Sequence, residues 1–140
     1  MIYCTSGEGI PIESLGCYKE WTGEMPRVDF PQLNALLVIA RDSEKNKIVG
    51  AAQWFVIDDS VWHRRWALVE NVYVLKSYRQ RDIGTQLMKF TEEQAFLFGC
   101  KFIKLTSRKE EGKVLYRSLG YEEGSSFRKE LRDGMGNYNG

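Results

Sequence analysis

Val69–Met88 reads VENVYVLKSYRQRDIGTQLM, and a change of texture inside it decides the architecture. Its first residues are β-branched and aromatic, the end of a strand predicted over Trp66–Val74 (WALVENVYV). A basic, polar loop follows at Lys76–Asp82 (KSYRQRD), and a helix opens near Ile83–Gly84. Ile83, Leu87, Thr91, Ala95 and Phe98 then recur at spacings of four and three, which gives one buried stripe. Gly99 supplies the helix stop.

Outward from this stretch the pattern stays regular. Upstream, Leu33–Arg41 (LNALLVIAR) and Ile48–Ile57 (IVGAAQWFVI) are short apolar runs expected to form strands. The polar turns Asp42–Lys47 and Asp58–Ser60 separate them from each other and from the strand ending at Val74, so an antiparallel meander is expected. Downstream, Lys101–Thr106 (KFIKLT) reads as a strand. Glu110–Leu119 reads as a short helix with Leu115 and Leu119 on one face, closed by Gly120. Late strands are expected at Tyr121–Glu122 and Phe127–Leu131, around Gly124–Ser126. The order is βββαβαβ(β): an α/β class with a mixed sheet, in which Trp66–Thr106 forms a right-handed parallel crossover. Residues 1–33 read as irregular, with one short helix over Ile12–Trp21. A single domain is expected over residues 1–131, and the Gly- and Asn-rich stretch Arg132–Gly140 as a flexible tail.

Composition narrows the class further. The chain has 140 residues, 43% of them hydrophobic, and a net charge of +1, which fits one globular domain and excludes a disordered polymer. The near-neutral balance argues against nucleic acid as a partner. Three cysteines are too few, and odd in number, for a disulfide framework, and no cluster has metal-ligand spacing. Cys4, Cys17 and Cys100 are expected to be reduced, with Cys100 a small core residue. Met1–Pro11 lacks the basic start and apolar stretch of a secretory signal. The longest apolar runs, Ala35–Ala40 and Trp54–Ile57, are far below the ~20 residues of a membrane helix. The expectation is a cytoplasmic protein with no membrane partner.

The loop before the long helix carries the chemistry. A helix N-terminus offers unpaired N–H groups and partial positive charge, and so suits phosphate. Arg79 and Arg81 add charge, and Gly84 is read as letting the backbone approach a ligand. A phosphate-rich ligand follows from this, with a plain solvated loop as the other reading.

Two motifs extend that reading. Arg79-Gln80-Arg81-Asp82-Ile83-Gly84, followed by Thr85, resembles the Arg/Gln-x-x-Gly-x-Gly/Ala acyl-CoA signature of the GNAT (GCN5-related N-acetyltransferase) superfamily. Val114–Tyr121 (VLYRSLGY) resembles its second signature, Leu-Tyr-x-x-Leu-Gly-aromatic at a helix end. Order and intervening elements match, and the resemblance covers about Leu33–Leu131.

The resemblance implies a GNAT-like fold whose central sheet splays at the strand ending at Val74. It implies acetyl-CoA as co-substrate, no metal, and transfer of the acetyl group to a primary amine by direct attack. Backbone groups of Val72, Tyr73 and Val74 would pair with the pantetheine arm. Residues Arg79, Gln80, Arg81, Asp82, Ile83, Gly84 and Thr85 would hold the pyrophosphate. Tyr116 would lie near the thioester sulfur and protonate the thiolate, and Glu70 would take the proton of the amine. Tyr116 lies off the Leu115/Leu119 stripe, and is therefore read as something other than plain core.

The chain departs from the family pattern in places. Asp82 stands where the pattern has glycine and brings a carboxylate towards the expected pyrophosphate. Ser107–Glu111 (SRKEE) lacks the usual asparagine. The variable acceptor-side region, residues 1–33, is short. A degenerate member that binds CoA or a protein partner without catalysis is therefore the rival reading. The acceptor, a small-molecule or a protein amine, stays open, as does a homodimer. His63 is read as a solvated turn residue. Trp54, Trp62 and Trp66 are read as aromatic core or a dimer contact before a pocket lining. Asp58 and Asp59 fit a polar turn as well as an attractor for a cationic amine.

Overall fold

The structure is a computed structural model, and it describes residues 1–7, 20, 35–105, 110–124 and 127–132. The strands are β1 (Ile2–Ser6), β2 (Ala35–Asp42), β3 (Lys47–Asp59), β4 (Arg64–Val74), β5 (Phe102–Leu105), β6 (Glu122–Glu123) and β7 (Phe127–Glu130). The helices are α1 (Ile83–Leu97) and α2 (Glu110–Ser118). They build one mixed sheet in the order β1-β2-β3-β4-β5-β7-β6. Strands β1 to β4 are the antiparallel meander, and β4 runs parallel to β5. The mixed α/β class, the meander and the parallel crossover expected from the sequence are all present.

One strand was absent from the sequence reading. Ile2–Ser6 lies in a segment read as irregular, yet it pairs along β2 from Ile2↔Asp42 to Ser6↔Val38. It is an edge strand, only partly buried, and its conformation depends on a partner more than thirty residues away. Strand β3 extends two residues past Ile57 to Asp59. The expected helix over Ile12–Trp21 lies outside the described residues, apart from Glu20, which is helical. The expected tail lies outside them too, apart from Arg132.

The two turns of the meander follow from single aspartates. Asp42 Oδ1 accepts the N–H groups of Glu44 and Lys45, and Asn46 closes that turn at φ 49°. Asp59 Oδ1 accepts those of Val61 and Trp62, and His63 closes the second at φ 51°.

Helix α1 lies on one face of the sheet. Ile83, Leu87, Thr91 and Ala95 are buried as the periodicity predicts, together with Met88 and Glu92. Burying Leu87 or Met88 stabilises the fold by about 1.5–3 kcal/mol each. The stripe ends sooner than predicted, because Phe98 is 43% exposed and only meets the edge of Trp54. The helix does stop at Gly99, with φ 85°. Arg65 Nη1 donates to the Phe98 carbonyl there, where a cation complements the helix dipole, while Arg65 Nε and Nη2 hold Asp58. Strand β2 is buried on both faces: Val38 and Ala40 meet the α1 side, Leu37 and Ile39 the other.

A buried carboxylate joins the C-terminal elements. Glu92 on α1 has no exposed surface and accepts Lys129 Nζ at 2.8 Å. The same ammonium donates to the Leu119 carbonyl at 2.6 Å, at the end of α2. A buried charge is tolerable only when so paired.

Candidate active site

Strand β4 is paired on both sides only in its first half. Its ladder with β5 runs Ala67↔Ile103, Leu68↔Lys104 and Val69↔Leu105, and among the described residues goes no further. Among the described residues, Glu70 to Val74 have β3 as their one strand partner. Glu70 sits in a bulge, because Trp54 faces Val69 whereas Gln53 faces Asn71. The extra residue twists the strand and re-aims its side chains where β5 stops. The backbone groups of the β5-facing edge of Glu70–Val74 have no strand partner among the described residues.

Beyond β4 the loop is held from below. A 3₁₀ turn spans Lys76–Tyr78, and Tyr78 is buried with its hydroxyl donating to Asp42 Oδ2 at 2.6 Å. That hydrogen bond holds the Asp42 carboxyl below its ordinary range and pushes the Tyr78 hydroxyl up. Arg79 Nε donates to the Val74 carbonyl at 3.2 Å, with its guanidinium over the Tyr73 ring. Arg81 lies over the Tyr78 ring. Both guanidinium groups are exposed, and neither has an ion-pair partner among the described residues.

Gln80 and Asp82 both adopt the left-handed region, at φ 63° and 59°. Asp82 is the N-cap of α1 but forms no side-chain cap hydrogen bond, and its carbonyl accepts the Gln86 N–H. Among the described residues the backbone N–H groups of Gln80 to Thr85 have no intramolecular acceptor. The helix start expected from the sequence is present. Gly84 also has a packing role: a Cβ there would meet Leu115 Cδ2 of α2 at 3.2 Å, so a larger residue would have to displace the end of that leucine. Gly50 similarly lets β3 lie against β4 and α1, since a Cβ would meet the Tyr73 carbonyl oxygen at 3.0 Å.

Tyr116 corrects a sequence expectation. It lies off the Leu115/Leu119 stripe, yet it is buried in the core between Tyr121 and Phe127, at ring separations of 6.0 and 5.7 Å. Helix α2 is covered on two sides, by Gly84 of α1 and by the aromatic rings before and on β7, so burial is not confined to one stripe. Burial raises the Tyr116 hydroxyl above its ordinary value, which keeps it protonated. Glu70 is exposed and has no hydrogen-bond or ion-pair partner among the described residues.

Other candidates resolve simply. Asp58 and Asp59 are engaged by Arg65 and Arg64, which leaves the turn reading. His63 is an exposed turn residue. Trp54 is core, Trp66 stacks on Phe102, and Trp62 is 73% exposed at the hairpin tip. Cys100 is buried, and desolvation pushes its thiol up to about 11. Among the described residues no group of His, Cys, Asp and Glu could hold a metal, and no helix is long and apolar enough to cross a membrane.

The sequence reading missed two features. Glu20 accepts the Tyr73 hydroxyl at 2.7 Å and the Lys76 N–H at 3.0 Å, tying the N-terminal region to the end of β4. These bonds lower the Glu20 carboxyl from its ordinary value, and no local signal announces a contact across fifty-three residues. The bulge did leave a signal: Glu70 and Asn71 are consecutive polar residues that interrupt the apolar run Trp66–Val74.

A family model described as an acetyltransferase (GNAT) domain matches residues 33–123. A thialysine N-epsilon-acetyltransferase of Mus musculus is 31% identical over 84 residues, covering 59% of this chain and 49% of that protein. The chain thus spans about half the length of that curated relative. Among solved structures, an aminoglycoside acetyltransferase from an uncultured soil metagenomic sample superposes with a TM-score of 0.72 at 20% identity, covering 89% of this chain and 93% of that one. A ribosomal-protein-alanine N-acetyltransferase from Brucella melitensis biovar Abortus 2308 superposes with a TM-score of 0.56 at 19% identity, over 66% of this chain and 69% of that one. At these identities the two structures share the fold.

Proposed function

The chain belongs to the acetyltransferase (GNAT) domain family, and from that premise we propose that it transfers an acetyl group from acetyl-CoA to a primary amine. One observation carries the reading. Among the described residues, the strand segment without a β5 partner runs through a 3₁₀ turn and a short loop to a helix N-terminus whose N–H groups have no intramolecular acceptor. An extended amide-bearing arm followed by a pyrophosphate has the shape and chemistry to fit that path.

Acetyl-CoA would supply the activated acyl group. Backbone groups of Val72, Tyr73 and Val74 hold its pantetheine arm in this reading, and the N–H groups of Gln80 to Thr85 hold its pyrophosphate. Arg79 and Arg81 add positive charge, and offset the carboxylate of Asp82. Glu70 takes the proton of the incoming ammonium, directly or through one water. The N–C bond forms as the C–S bond breaks, Tyr116 gives its proton to the departing thiolate, and the second proton lost by the acylated nitrogen restores the Tyr116 hydroxyl. Juxtaposing both reactants in one cleft lowers the barrier by several kcal/mol. A small amine is the preferred acceptor and the cytoplasm the expected location.

A second reading, a coenzyme-binding domain without catalysis, is favoured by the packing of Tyr116 in the core and by Asp82 at the phosphate end. Acetyl-CoA titration followed by thiol release in the presence of amines separates the two. The enzyme releases CoA with at least one amine, and Tyr116→Phe slows release by about 100-fold. The binding domain shows a saturable thermal shift and no release.

A further inference from the structure

We infer that Asn71 is a specificity-determining contact for the amine acceptor, and that buried Gln53 is the positioning residue that aims it; this rests on the acetyl-transfer reading above. Asn71 is exposed, directly follows the bulged Glu70, and lies in the part of β4 that β5 leaves uncovered. Its Nδ2 donates to Gln53 Oε1 across the strand pair at 2.7 Å. Gln53 is 5% exposed, and Asn71 is its register partner.

In this arrangement the hydrogen bond occupies the Nδ2 end of the Asn71 amide and leaves Oδ1 as its acceptor end. The open segment thus offers two acceptor groups on consecutive residues, the Glu70 carboxylate and the Asn71 carbonyl. A primary amine keeps two N–H bonds after it loses its ammonium proton. One of these donates to Asn71 Oδ1 and orients the lone pair, while Glu70 carries the proton that was lost. A tertiary amine cannot make this contact, and a secondary amine can make it only with its single N–H aimed at Asn71. The residue therefore favours primary amines through orientation, without placing a second negative charge beside Glu70.

The test uses steady-state kinetics on the whole chain with acetyl-CoA and three probes: thialysine, kanamycin and a peptide with an N-terminal alanine. For the probe that turns over fastest, Asn71→Ala is expected to lower kcat/KM for the amine roughly tenfold, the worth of one hydrogen bond to a reacting group. The KM for acetyl-CoA and the thermal shift it induces stay at parental values. Gln53→Leu is expected to reproduce that loss, and the double variant to lose no more than either single one. An Asn71→Ala enzyme within twofold of the parent overturns the inference and leaves acetyl transfer standing. So does an equal loss in the acetyl-CoA thermal shift, which would mark a structural role. Should Gln53→Leu not fold, Asn71→Ala alone decides for Asn71. A parent that turns over none of the probes while binding acetyl-CoA overturns the inference together with the reading it rests on.

Discussion

The two halves of β4 are one continuous strand with opposite employment. From Ala67 to Val69 the strand has neighbours on both edges, Ala67 and Val69 are buried, and just before them Arg64 and Arg65 are tied to Asp59 and Asp58. From Glu70 to Val74 it has one neighbour among the described residues and a bulge at its start. Sheet stability resides where both ladders are complete. Ligand chemistry is possible where one ladder is missing, because only there are backbone groups and side chains free to meet something else.

Substitutions in the two halves should therefore separate stability from activity. The largest effect is expected in the paired half. Ile103, fully buried opposite Ala67, leaves a cavity when changed to alanine, and Ile103→Ala should cost about 2–5 kcal/mol in urea unfolding. In the open half, Glu70→Gln should lower kcat about 100-fold at neutral pH with Tm unchanged. A fall in Tm instead would dissolve the contrast. Smaller is the effect of Asp82→Gly, which places glycine at φ 59° and removes a carboxylate from the helix terminus. Acetyl-CoA should then bind about fivefold more tightly by calorimetry.

The smallest effect concerns pH. The Asp42 carboxyl is held below its ordinary 3.8, chiefly by the Tyr78 hydroxyl. Its contribution is fully present above that value and is lost as pH falls through the lower folded-state value. Asp42→Asn should lower stability at pH 7, where that contribution is fully present, and flatten the acid limb of the stability profile below about pH 4.

Much of this arrangement could be read from residues alone, for identifiable reasons. Strands β2 to β4 and helix α1 announce themselves through apolar runs and a 3.6-residue period, both local properties. The loop Arg79–Asp82 and the helix start behind it are local as well. What escaped is non-local or depends on packing from two directions. Ile2–Ser6 becomes a strand only against β2, and Glu20 meets Tyr73 only once the sheet exists. Tyr116 sits on the second buried side of α2, which a single-stripe reading leaves out. Gly84 is legible as a small residue, but its neighbour Leu115 is not. The pair Gln53–Asn71 is hidden by the bulge, since register cannot be counted across an extra residue.

The most direct test of the central claim is hydrogen–deuterium exchange with and without acetyl-CoA. Saturable protection of the Val72–Val74 and Gln80–Thr85 amides, with the paired half Ala67–Val69 unchanged, is the result this account predicts. Protection elsewhere, or none at millimolar acetyl-CoA, would contradict it.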